Sequence, residues 1–331
     1  MYIGHELLAI ALATGLARAA GVGRQRALLL GGFGGVYAFA PDLDLAYTIW
    51  AVLKAGPTNV FPTTEHVWTK SWIVHRSLTH SIVTGTVAVL AVGLFGTTFS
   101  RYRAGSRDRY TVMGLLSTVG AVGTLGWIVI LSDELLGLLT LGLYVAVILA
   151  TTAWGIGRGI APRQLMAVAA IGLWTHPFGD VFTGRPPTFL YPIQSKAPFG
   201  KIAVAADPTV NLIGLFGLEL LIAWAALLVV LSVGEYRLGA HLRPRAILGL
   251  GFAATVTVIR PPTLEVAYHF ALGTIATGVV LGALPHRFRS NKDATAGSWP
   301  ARWLTPLVTA LAGASLAVIG YLVAYLLIGV S

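Results

Sequence analysis

A chain of 331 residues that is 56% hydrophobic and only 11% charged, with a mean hydropathy of +0.76, lies outside the range of water-soluble domains and reads as a polytopic membrane protein. Cysteine is absent, which excludes disulfides, thiolate metal sites and a cysteine nucleophile, so any metal must be held by nitrogen and oxygen. The net charge of +10 is spread over short loops between apolar stretches and forms no single stripe, which argues against a nucleic-acid partner.

Crossing about 30 Å of hydrocarbon takes roughly 20 apolar residues. Ten stretches are candidates, over about 3–19, 26–40, 79–99, 111–131, 135–155, 163–178, 209–233, 246–259, 264–284 and 304–329, the second, sixth and eighth being short. The first opens on His5 and Glu6 with neither a basic start nor a small-residue cleavage site, so it is expected to stay attached. Two loops, about 41–78 and 179–208, are too long for simple connectors, and long loops in compact proteins tend to be functional. The first carries Pro57, Pro62, Trp50, Phe61, Trp68 and Trp72, a composition suited to a cap at the bilayer interface. The second holds Pro186, Pro187, Pro192, Pro198 and Pro208 and is expected to be extended. From Thr209 onward there are only apolar segments and basic loops, and glycines such as Gly31, Gly32, Gly34 and Gly35 suit close helix packing. The predicted fold is all-α: a transmembrane bundle of about 8–10 helices whose two long loops form an extracytoplasmic cap. Residues 1–206 carry every motif, and 207–331 add helices without one.

Assigning the loops alternately to the two sides puts 16 of the 23 Lys and Arg on one side and 7 on the other. The richer side is cytoplasmic by the positive-inside rule, which leaves both long loops and the N-terminus with His5 on the opposite side.

Three motifs carry the chemistry, each at the end of an apolar stretch, where a polar group is costly unless something binds it. In APDLD, Pro41 ends the second helix, and Asp42 and Asp44 can hold a cation if the segment turns once around Leu43; a solvated turn is the plainer alternative. In HRSLTHS, Ser77 is the expected N-cap of the third helix, leaving His75 in the loop and His80 one turn in, so that both rings converge near the helix start. Arg76 and Thr79 flank them, and a guanidinium there suits an oxyanion. In THPFGD, His176 and Asp180 are four apart, which on a helix places both on one face, as two ligands of one metal or as a structural His–Asp pair. Pro177 is expected to end the helix at His176 and open a new turn. His5 joins them as a candidate on the same side, and His66 beside Glu65 can assist as acid or base. His241, His269 and His286 have no acidic neighbour at useful spacing.

Taken in order, His5, PDLD, HRSLTHS and H-x-x-x-D followed by T-G and YPI resemble the YdjM-like family of inner-membrane metal-dependent hydrolases, over about residues 1–200. The resemblance implies an integral membrane protein with a divalent-metal site and a hydrolase activity. The positions that match are His5, Asp42, Asp44, His75, Arg76, Thr79, His80, His176 and Asp180. H-x-x-x-D is also similar to zinc ligands in phospholipase C and P1-type nucleases, which points to phosphoesters. Pro177 and Gly179 depart from the helix-forming apolar residues usual there.

The function expected is that of a multi-pass inner-membrane hydrolase with its site at the extracytoplasmic interface. His5, Asp42, Asp44, His75, His80, His176 and Asp180 are the candidate metal ligands, and Asp44, Arg76, Thr79 and Lys196 the candidate catalytic groups. Asp44 would orient or deprotonate a water. Arg76 and Lys196 would offset charge on a small or lipid-linked anionic substrate. Zinc is the first choice of metal, with Mn and Fe using the same ligands. The alternative is a transporter or channel using the His and Asp residues for ions or protons, against which stands their position at helix ends. A third reading is metal-stapled loops without turnover.

Overall fold

The computed structural model describes residues 3–45, 75–130, 135–182, 186–264, 267–284 and 299–328, with the backbone alone at 44–45, 75, 128–129, 135–137 and 299–302. The described elements are helical, in two compact units, Met1–Ile202 and Ala203–Ser331.

In the first unit α1 (Gly4–Ala19) and α2 (Arg24–Phe39) form a tight hairpin. The reversal uses Gly21 at φ 78, a left-handed conformation that suits glycine. Gly31, Gly34 and Gly35 face α1 so closely that a Cβ on any of them would press on Thr14, on Ala9 and Ala13, or on Ile10, whereas Gly32 faces open space. The chain then enters a 3-10 turn, Ala40–Leu45, and reappears in a π-helical turn, His75–Thr79. α3 (Ile82–Arg103), α4 (Arg109–Ile130), α5 (Leu135–Gly157) and α6 (Pro162–Gly179) follow, α6 ending in a 3-10 turn, Asp180–Phe182. The core between them is apolar, with Phe33, Tyr37, Val92, Tyr144, Leu165 and Leu173 all buried. Within it the hydroxyls of Tyr37 and Thr152 share a hydrogen bond of 2.8 Å.

The second unit holds α7 (Pro208–Gly234), a short α8 (Leu238–His241), a 3-10 helix Pro244–Thr257, α9 (Tyr268–Ala283) and α10 (Trp299–Ile328). Gly278 and Gly282 let α9 lie against the backbone of Ala310 and Pro306, and Arg245 caps the end of α9 through the carbonyls of Leu281 and Gly282.

Among the described residues, five helices are long and apolar enough to cross a membrane: Ile82–Arg103, Leu138–Gly157, Pro162–Phe182, Pro208–Gly234 and Trp303–Ile328. Two expectations change. The sixth stretch is a full-length candidate because α6 continues through Pro177 into the Asp180–Phe182 turn, with no break at His176. Pro177 has no N–H to give the Leu173 carbonyl, but only two helical residues follow it, and the chain runs on into the 3-10 turn. The eighth stretch is a 14-residue 3-10 helix, whose larger rise gives it a length of about 28 Å.

Candidate metal centre

Four segments deliver their polar ends to one end of the first unit. α1 begins there with His5, α2 finishes there and hands over to Asp42, His80 stands just ahead of α3, and α6 ends there with His176 and Asp180. Gly172 explains how α2 and α6 come close enough: a Cβ there would sit 2.7 Å from both the amide of Ala38 and the carbonyl of Gly34. The start of α3 differs from the expectation. Its N-cap is Ser81, not Ser77, with the hydroxyl accepting from the amides of Val83 (3.0 Å) and Thr84 (3.4 Å). The same hydroxyl lies within donating range of the carbonyls of Tyr191 (2.6 Å) and Phe189 (3.1 Å), and the amide of Ile82 donates to Phe189. Ser81 wins because it both caps the helix and fastens it to the second long loop. His75, Arg76 and Ser77 therefore fall in the π-helical turn, and His80 precedes the helix instead of lying one turn inside it.

The donor atoms crowd together. His80 Nε2 is 2.9 Å from His176 Nε2, 3.0 Å from Asp180 Oδ2 and 3.4 Å from Asp42 Oδ1. His176 Nε2 is 3.5 Å from Asp42 Oδ1 and 3.8 Å from Asp180 Oδ2, and His5 Nε2 is 3.3 Å from Asp180 Oδ1. His5, His80, His176 and Asp180 are buried, while the Asp42 side chain keeps 14% of its surface. Ligands about 2.0–2.1 Å from a tetrahedral zinc ion stand roughly 3.3 Å from one another, so donors at these separations could share an ion.

Proton counting favours a cation over a plain hydrogen-bond network. His176 Nδ1–H donates to the carbonyl of Ala38 at 2.8 Å, which turns Nε2 of the neutral ring into an acceptor. The single proton that His80 Nε2 can carry then faces three acceptors, on His176, Asp180 and Asp42. His5 Nε2 is buried and makes no hydrogen bond of good geometry with a described residue. Two three-residue groups, His80, His176 and Asp180, and His5, Asp42 and His176, could each hold a divalent ion, and imidazole with carboxylate is a donor set suited to zinc, manganese or iron. The outer contacts match that role: the Ala38 carbonyl holds the ring of His176, and Thr79 Oγ1 lies 2.9 Å from His80 Nδ1.

The electrostatics agree. Burial disfavours a charged His80, but hydrogen bonds to Asp180 and Asp42 and the charges of both outweigh it and lift its pKa to about 9. Arg76 Nη1 is 3.1 Å from both Asp180 Oδ2 and the Asp180 carbonyl. The carbonyl of Arg76 in turn accepts from the amide (2.8 Å) and hydroxyl (3.1 Å) of Thr188.

The predicted residues thus fall into three groups. His5, Asp42, His80, His176 and Asp180 meet, with Arg76 and Thr79 touching two of them. Lys196 is exposed in the second long loop. The side chains of Asp44 and His75 lie outside the described residues, as do Glu65, His66 and the rest of the first cap loop, and His286. Away from this centre, His241 bonds Thr305 in the second unit. Sequence reasoning passed over Glu6. It sits next to His5 on α1 within the electrostatic reach of Asp42 and His176, with a buried Oε2 that makes no hydrogen bond to a described residue. Adjacency to a ligand histidine was its one visible signal.

The sequence model of the family described as YdjM inner membrane protein matches residues 1–260. The match includes every residue of the centre and extends beyond the motif-bearing part into the second unit. No curated protein and no solved structure matches the chain.

Proposed function

Because the chain belongs to the YdjM inner membrane protein family, a multi-pass membrane setting is its premise, and we propose that it is a metal-dependent hydrolase of anionic esters, phosphoesters first among them. The observation that carries this reading is the buried cluster of imidazole and carboxylate donors, 2.9–3.8 Å apart, at one end of the first unit.

His5, Asp42, His80, His176 and Asp180 would hold the ion, zinc being the first choice. A divalent cation there supplies Lewis acidity, which makes water nucleophilic near neutral pH and offsets charge on the phosphoryl oxygens. The chain's own groups do the rest. Thr79 and the Ala38 carbonyl fix the ring orientations of His80 and His176. Arg76 holds Asp180 in place, which makes it a positioning residue. Glu6, with its buried, unbonded oxygen beside the cluster, takes the proton of the attacking water. The water oxygen forms a new P–O bond as the ester P–O bond breaks, and the proton passes to the departing alkoxide. Lys196 keeps the role read from sequence, a charge on the second loop, whereas the general-base role read there for Asp44 passes to Glu6 and Asp44 stays a further candidate ligand of the Ala40–Leu45 turn.

The charge asymmetry of the loops supports an extracytoplasmic site. In a chain without cysteine, single cysteines at 194 or 195 should react with an impermeant thiol reagent from outside, and those at 105 and 240 only after permeabilisation. The reverse pattern would invert the orientation. For the centre itself, purified protein should carry stoichiometric divalent metal by elemental analysis, lowered in His80→Ala and in His176→Ala. Full metal content in both variants would end the proposal, and rapid ion flux through liposomes without ester hydrolysis would favour a transporter.

A further inference from the structure

The second long loop lies beside the centre and is tied to its ligands at both ends. The carbonyl of Phe189 accepts from Ile82 and Ser81, the residues that follow His80, and the amide of Ile202 donates to the carbonyl of Val181, which follows Asp180. Three aromatic rings run across this region: Phe178 packs on Phe189 at 5.1 Å between centroids, and Phe189 on Phe199 at 5.7 Å. Phe178 follows His176 by two residues on α6, which turns it about 200° round the helix to the outer face. Phe189 is buried, yet the rings at either end are half exposed, Phe178 at 51% and Phe199 at 56%. Ile193, at 79%, and Ile202 are exposed in the same loop, with Lys196 and Lys201 also exposed between them. Residues 181–206 contain no Asp or Glu, so the loop is apolar and basic together.

Such a surface suits one kind of molecule, an amphiphile with a long hydrocarbon tail and an anionic head. We propose that the row Phe178, Phe189 and Phe199 seats the tail of a long-chain phosphoester, with Ile193 and Ile202 extending the apolar surface, Lys196 and Lys201 attracting the charged head, and the head delivered to the neighbouring donor cluster. The tail is held by apolar contact, and the loop that carries Phe189 and Ile202 is bonded to Ser81, Ile82 and Val181, each within two residues of His80 or Asp180. The inference rests on the hydrolase reading above and names its substrate class.

The test uses the full-length protein in phosphatidylcholine nanodiscs and hexadecyl phosphate carrying a diazirine at the end of its chain. On irradiation the label should appear in the peptide spanning 174–202 and be displaced by unlabelled hexadecyl phosphate but not by butyl phosphate. Phe178→Ser with Phe199→Ser should lower that labelling about tenfold, the order expected for removing two large apolar contacts, with metal content unchanged. Should the double variant fail to fold, Ile193→Ser, at a 79% exposed position, should lower it less but measurably. Labelling of 174–202 no stronger than of α4 (Arg109–Ile130), whose apolar side chains are largely exposed, or equal displacement by butyl phosphate, would overturn the seat. Turnover is read separately. Strong labelling of 174–202 without hydrolysis of hexadecyl phosphate keeps the seat and removes the hydrolase, whereas equal hydrolysis of butyl and hexadecyl phosphate without labelling removes the seat alone.

Discussion

The ring of His176 near the end of α6 is held by the carbonyl of Ala38 near the end of α2, across 2.8 Å and 138 residues of chain. The orientation of a candidate ligand therefore depends on how closely two helices pack, and that closeness depends on a residue with no side chain, Gly172.

Gly172→Ala puts a methyl 2.7 Å from the backbone of Ala38 and Gly34, so α2 must move and the Ala38 carbonyl with it. Overpacking of this kind costs about 1–3 kcal/mol. We expect a lower unfolding temperature together with weaker zinc binding, measured by thermal denaturation and calorimetric titration. A drop in stability with unaltered zinc affinity would show that the ring does not depend on the helix contact.

Arg76→Ala leaves the buried Asp180 without its guanidinium. Removing one partner of a buried pair costs about 3–5 kcal/mol, and a bound cation should return part of it. The variant is expected to be markedly less stable when stripped with chelator and partly restored by zinc, with Arg76→Lys intermediate. Equal stability of Arg76→Ala and the parent protein without metal would assign Arg76 to substrate instead.

Glu6→Gln keeps the shape of the side chain and removes its capacity to accept a proton. Metal content should be unchanged and turnover of a phosphoester should fall by about 100-fold or more, the range for a lost general base. Loss of metal in this variant would make Glu6 a ligand.

The pH dependence of metal binding follows from His80. With its pKa raised to about 9, its ring carries a proton in neutral solution that an incoming cation must displace. Binding should release protons below pH 9, and this one group should weaken affinity about tenfold for each pH unit lost. Zinc titrations at pH 6, 7 and 8 in buffers of different ionisation enthalpy measure both effects. A pH-independent affinity would mean that His80 is not a ligand.

Much of the bundle was legible because ten apolar stretches are a matter of composition and length. What eluded sequence reasoning was decided by contacts between distant segments. Ser77 and Ser81 are both plausible caps, and only the carbonyls of Phe189 and Tyr191, more than 100 residues on, favour Ser81. Pro177 reads as a helix stop, but so near the end of α6 it removes little, and Asp180 stays on the turn that continues the helix. His5 has only Glu6 as local evidence. Its place near the middle of the cluster comes from the hairpin of α1 with α2 and from its ring packing on His176 at 4.0 Å. The local sequence of Arg76 does not reveal the carboxylate it meets, 104 residues away.

That the five donors come from four separate stretches has a consequence for biogenesis. A chain synthesised only as far as residue 160 holds His5, Asp42 and His80 and lacks the other two donors. Capture of an ion with full affinity must wait until the sixth helix is inserted and stands beside the first three, so loading would report that the first half of the protein has assembled in the bilayer.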